Sequence, residues 1–177
     1  MKYSSILLLL ILCLALVSCS NDSSTDPVAP TLSAGDADKD GMMVPRPFRG
    51  TWVTAISPPA DPIPGCDGDP TTGPFEIAGW GRATHMGNTT YNSVSESDFI
   101  NQCGSGSITA ANGDQLFVEF GGDVDASQLP FVTFSGDFTF TGGTGRFAGA
   151  SGSGTYSGSA SVAESAGEVT YDGMITY

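Results

Sequence analysis

Basic residues are scarce in this chain: six Lys and Arg stand against nineteen Asp and Glu, with one histidine. A formal charge of −13 repels phosphate backbones and anionic head groups alike, which excludes nucleic acid as a partner and any electrostatic route to a membrane. Cysteine is scarce too, at four residues. A structural zinc site needs four ligands and closely spaced thiolate pairs, and His85 beside Cys66 and Cys103 does not complete one, so neither a metal nor a cofactor is expected. The absence of a Gly-x-Ser-x-Gly elbow excludes a serine hydrolase of the α/β type. No stretch carries helical periodicity of useful length, and the many carboxylates offer no pair that sequence alone singles out as acid and base. No catalytic set emerges, and the reading leans away from an enzyme.

The first residues are the most informative of those present. Lys2 gives a positive start, Ile6 to Val17 an apolar core, and Leu-Val-Ser-Cys at Leu16 to Cys19 a small residue before a cysteine. An apolar run of about 12 residues is too short for a span of about 20, so residues 1–18 are expected to be a lipoprotein signal peptide and Cys19 the lipidated first residue. The bacterial membrane is then reached through lipid, and multiple acyl chains anchor stably where one does not. Ser20 in place of Asp argues, by resemblance to proteobacterial sorting, for the outer membrane, and Asn21-Asp22 loosely resembles the acidic export signals of surface lipoproteins in the Bacteroidota. Both a periplasm-facing and a cell-surface location stay open. Cys13 leaves with the signal, which leaves Cys66 and Cys103 to form a disulfide in an oxidising envelope, worth about 4 kcal/mol on a chain-entropy estimate.

Residues 19–47 are rich in Ser, Asp, Thr and Pro with little to bury, and are expected to be a disordered, lipidated linker. Within it, Asp36 to Gly41 copies the opening of a calcium-binding loop, but Pro47 stands where the bidentate Glu belongs, so the segment reads as a solvated acidic linker. From Phe48 to Tyr177 the pattern has period two. Eight segments alternate: Phe48 to Ile56, Phe75 to Met86, Asn88 to Val94, Ser105 to Ala111, Asp114 to Gly121, Phe131 to Thr141, Gly152 to Ala163 and Val169 to Tyr177. The second and third join at Gly87, and Asn112-Gly113 predicts a hairpin turn with positive φ at both residues. Eight strands without helices predict an all-β, closed antiparallel barrel over residues 48–177, with a β-sandwich as the competing arrangement. A barrel spanning the membrane is disfavoured because the outward sets are Ser, Thr and Asp.

Gly142 to Gly149, Gly-Gly-Thr-Gly-Arg-Phe-Ala-Gly, opens like a dinucleotide-binding loop, but it follows an amphipathic strand and leads into a Gly and Ser-rich stretch that would melt a helix. Read as β structure, its glycines supply positive φ at a tight connection, Phe147 plugs one end of the core, and Arg146 pins a carbonyl or a surface carboxylate. This segment, with Ala83 to Asn88 and Ile108 to Leu116, resembles the allene oxide cyclase and dirigent-like barrel family, in secreted bacterial form. The resemblance covers about Phe48 to Tyr177 and implies a calycin-like barrel with a preformed apolar cavity. The polar groups that act in those cavities match no position here by motif, so catalysis is not carried over.

The candidate ligand-binding residues are Trp52, Trp80, Arg82, His85 and Tyr156. His85 falls in phase with Phe75, Ile77 and Ala83 if the strand is regular, whereas a bulge at Gly79 or Gly81 would turn Trp80 and Arg82 inward instead. The function expected is a lipoprotein whose barrel binds a small hydrophobic ligand or is filled and serves as a scaffold; the alternative is a cyclase or isomerase acting inside the barrel. For the anchor, the mature protein is expected to begin at an acylated Cys19 and to partition into detergent. A Cys19→Ala variant should remain uncleaved and carry no lipid, and mass spectrometry finding wild-type protein without acylation at Cys19 would refute the assignment.

Overall fold

The computed structural model describes residues 43–59 and 73–177. Eight strands follow one another, β1 (Arg46–Ser57), β2 (Phe75–Ala83), β3 (Gly87–Ser97), β4 (Asn101–Ala110), β5 (Gln115–Gln128), β6 (Phe131–Gly143), β7 (Ser151–Ser161) and β8 (Ala166–Thr176). Each pairs antiparallel with its neighbour in sequence, and β1 closes on β8 in an unbroken register from Arg46 opposite Ile175 to Ala55 opposite Ala166. The result is a closed barrel with no free edge. The expected signal peptide, the lipidated linker up to residue 42 and Cys66 lie outside the described residues.

Period-two alternation builds the wall. On β1, Phe48, Gly50, Trp52 and Thr54 are buried and the residues between them are exposed; on β6, Val132, Phe138 and Phe140 are buried while Thr133, Ser135, Asp137 and Thr139 face water. Apolar side chains inside and hydroxyls outside are the reverse of a wall made to face lipid. Between β6 and β7 the chain makes a single 3-10 turn, Gly145–Phe147. Gly145 and Gly149 take φ of 58° and 79° there, and Phe147 is fully buried against Tyr177 at 4.9 Å between rings. The glycine-rich motif is thus a stopper for one end of the barrel, and Arg146 turns outward to Asp114 at 3.6 Å.

Three local expectations need correction. The second strand ends at Ala83, because Met86 N–H donates to Ala83 O and Thr84 is held by hydrogen bonds with Arg49, so His85 leaves the strand in a turn with φ of 65°. It is exposed, not part of an apolar face. Around Asn112-Gly113 four residues separate the strands, and only Gly113 has positive φ, at 90°; the Asn112 side chain instead accepts from Asp114 N–H. Strand β5 runs on to Gln128, past Gly121 and Gly122, where the bare glycine backbones of β5 and β6 lie so close that a Cβ on Gly122 would strike the Ser135 carbonyl.

The interior is filled in layers at the end that carries the β2–β3, β4–β5 and β6–β7 connections. Phe48 and Phe140 meet edge to face at 4.8 Å, with Leu116, Phe147 and Ile175 fully buried around them. Above them Trp52 spans the barrel, packed on Tyr91 at 5.4 Å and Tyr171 at 5.6 Å, its indole N–H donating to Thr89 Oγ1 at 2.9 Å. Gly50 makes room for that indole: a Cβ there would run into the ring. Gly50→Ala is therefore expected to overpack the barrel and destabilise it by about 1–3 kcal/mol, whereas Gly73→Ala, whose Cβ would meet nothing within 4 Å, should leave the thermal transition unchanged. Equal melting temperatures for the two variants would refute this packing.

Candidate functional site

The other half of the barrel is hollow. A cavity of about 780 Å³ opens at the end that carries the β1–β2, β3–β4, β5–β6 and β7–β8 connections. Its walls are the open-end halves of the strands: Ile56 and Thr54 from β1, Phe75 and Ile77 from β2, Phe120 and Val124 from β5, Val132 and Phe134 from β6, Ala160 from β7 and Val169 from β8. The volume and the apolar lining suit a small organic molecule. Why the cavity is there follows from side-chain size: Trp52, Phe138 and Phe140 fill the lower layers, while Val132, Ala160 and Val169 occupy inward positions nearer the mouth and leave space between them.

A polar cluster stands in the apolar surround. Tyr91 and Tyr171 share a hydrogen bond between hydroxyls at 3.1 Å, and Gln102 Nε2 donates to the Tyr156 hydroxyl at 2.8 Å. All three tyrosines line the cavity, and rings of Phe120, Phe134 and Tyr171 surround Tyr156 at 5.5, 6.3 and 5.6 Å. Burial pushes the Tyr156 phenol up to about 12 and holds those of Tyr91 and Tyr171 above the ordinary value of 10.0. They are neutral hydrogen-bonding groups near neutral pH, and poor bases.

The mouth is stitched together. Val124 N–H donates to Ile100 O, Val162 N–H to Pro130 O and Ile56 N–H to Ser165 O, each at 2.8 Å, so the β3–β4, β5–β6 and β7–β8 connections are each bonded to a residue beyond their own hairpin. Phe99 sits at the tip of the β3–β4 connection with φ of 66°, unusual for a bulky residue. Asp98 supports it: its carboxylate accepts from the N–H groups of Ile100 at 2.8 Å and Asn101 at 2.6 Å, bonds that hold its pKa below the usual carboxylate range. Asp98 and Phe99 both line the opening. Exposed apolar side chains continue outward from it, Ile100 at 68%, Leu129 at 62% and Phe131 at 60% exposure.

Of the five residues proposed from sequence, one lines this cavity: Tyr156. Trp52 lies directly beneath it as part of the floor, fully buried. Trp80 is 63% exposed on the outer wall, opposite Val53 in register, and Arg82 is exposed on the same face, so no bulge turns them inward. His85 is at the opposite end, with Nε2 2.9 Å from Pro47 O and its ring 5.8 Å from that of Tyr177. The residues that sequence reasoning missed are Tyr91, Tyr171, Gln102 and Asp98. Tyr171 stood on a recognised alternating face, whereas Gln102 and Asp98 fall between predicted strands, in a stretch without alternation. Cys103 stands on β4 opposite Glu96 and Gly121, while its expected partner Cys66 lies outside the described residues. Among the described residues no cluster of His, Cys, Asp or Glu is arranged to hold a metal ion. Comparison of the chain with protein-family models, curated proteins and solved structures gives no match.

The tyrosine cluster sets an alkaline limit. An unfolded chain releases phenolic protons near 10.0 while the folded one holds Tyr156 to about 12, so between these values the unfolded state binds fewer protons. The stabilisation is fully present below pH 10 and is lost as pH rises through the folded values. The melting temperature is expected to fall steadily from pH 10 to 12, and less steeply in Tyr156→Phe, which below pH 10 should cost about 1 kcal/mol for the lost Gln102 bond. A melting temperature constant across that interval would refute the assignment.

Proposed function

We propose that the protein is a lipid-anchored envelope lipoprotein whose barrel takes up a small, largely apolar molecule through one end. The observation that carries the binding part of this reading is the cavity of about 780 Å³, with the β3–β4, β5–β6 and β7–β8 connections at its mouth hydrogen-bonded into place. A preformed site loses little entropy on binding, and apolar walls with a few fixed hydroxyls give a ligand both burial and orientation. Cys19 would hold the barrel at the membrane, and the expected bridge from Cys66 to Cys103 would fasten the β1–β2 connection to β4. A scaffold with a filled interior accounts less well for so much open volume.

A cyclase or isomerase, as the family resemblance allows, would need a group that takes or gives a proton. The cavity phenols are held protonated, able to give a proton but not to take one, and the Asp98 carboxylate, whose Oδ1 accepts from two backbone N–H groups, is shifted away from basicity, so neither kind of group serves as a base. Binding is accordingly the better-supported reading.

The test is a titration with N-phenyl-1-naphthylamine, a neutral fluorophore that brightens in apolar surroundings. Saturable enhancement at one site per chain is expected. Ala160→Phe, which narrows the cavity from β7, should weaken it severalfold while the circular dichroism and thermal transition stay close to wild type; a folded Ala160→Phe variant that binds the probe undiminished would refute the site.

A further inference from the structure

The charges of the barrel are sorted by end. Among the described residues all four arginines belong to the closed end: Arg46 and Arg49 at the start of β1, Arg82 at the end of β2 and Arg146 in the 3-10 turn. Two of them face carboxylates there, Arg49 on Asp172 and Arg146 on Asp114, so their field is met locally. The open half carries no Lys, Arg or His among the described residues, yet it bears exposed Asp98, Asp123, Asp125, Glu164 and Glu168. Asp98 lines the opening itself. Charges of one sign around a low-dielectric mouth focus their potential into it, and among the described residues no cationic side chain stands there to meet an entering anion.

The interior is compatible with the same sign. Phe75, Phe120, Phe134, Tyr91, Tyr156 and Tyr171 place aromatic rings along the cavity, and the negative face of an aromatic ring attracts cations. Aliphatic walls beside them would take a hydrocarbon tail.

We infer that the ligand of this cavity is a cationic amphiphile, an apolar chain or ring system bearing an amine or quaternary ammonium group held at the mouth near Asp98, and that carboxylates and phosphates of similar size are rejected. The inference rests on the binding reading given above and adds to it the charge class of the ligand.

Displacement of bound N-phenyl-1-naphthylamine by octylamine, octanol and octanoate at low ionic strength tests it. Octylamine should displace the probe at a concentration about tenfold lower than octanoate, with octanol between them, and added salt should narrow the gap. Asp98→Asn should weaken octylamine severalfold and leave octanol unchanged. Because Asp98 also supports its turn, the double variant Glu164→Gln/Glu168→Gln, which removes two exposed charges and leaves that turn intact, should narrow the gap as well. Octanoate binding as tightly as octylamine, or a preference for octylamine unmoved in both variants, overturns the charge inference while octanol binding keeps the cavity reading. Failure of all three to displace the probe overturns both.

Discussion

The pairing of β1 with β8 is the constraint on which everything else rests. Once the first strand closes on the last, the circumference is fixed at eight strands, and the interior has a width that side chains can just fill. β1 cannot then slip by one residue against β8 without turning Phe48 and Trp52 together to the solvent side. Closure therefore fixes both the register and the volume available inside. What differs from one level of the barrel to the next is only the size of the residues that point inward.

That size changes along the barrel axis. At the closed end Phe48 packs on Phe140 and Phe147 on Tyr177, and above them Trp52, Tyr91, Tyr171 and Phe138 form a tier that spans the bore, with Phe138 stacked on Tyr171 at 4.8 Å. A glycine accepts the largest of these rings: a Cβ on Gly50 would strike the Trp52 indole. Beyond that tier Val132, Ala160 and Val169 stand among the larger inward residues, and the space between the walls stays open. Hydrophobic burial and cavity thus divide the same barrel, the first supplying the stability that the second forgoes.

Much of this was legible from residue order. Alternation at Phe48 to Ile56, at Phe131 to Thr141 and along the last strand identified both the strands and their inward faces, because a one-sided wall leaves a period-two record. The Gly142 to Gly149 turn with its plugging phenylalanine was legible for a similar reason, since positive φ and a lone buried ring leave few alternatives. The site was harder to see. Its polar members Gln102 and Asp98 sit where β3 passes into β4, and glycine and polar residues there erase the alternation. His85 misled because a turn of three residues, set by hydrogen bonds to Arg49, takes it out of phase, and no local pattern announces a partner so distant in sequence. Trp80 and Arg82 remained ambiguous until the register of β2 against β1 was known.

In an up-and-down barrel the connections alternate between ends. Here every odd connection, from β1–β2 to β7–β8, reaches the mouth, while the even ones secure the floor. Sequence change in the odd connections can therefore alter which molecules enter with little effect on the packed tiers below. The floor acts as a chassis and the four mouth connections as interchangeable fittings, so barrels descended from a common ancestor with this arrangement would be expected to share the Trp52 tier and diverge at the rim.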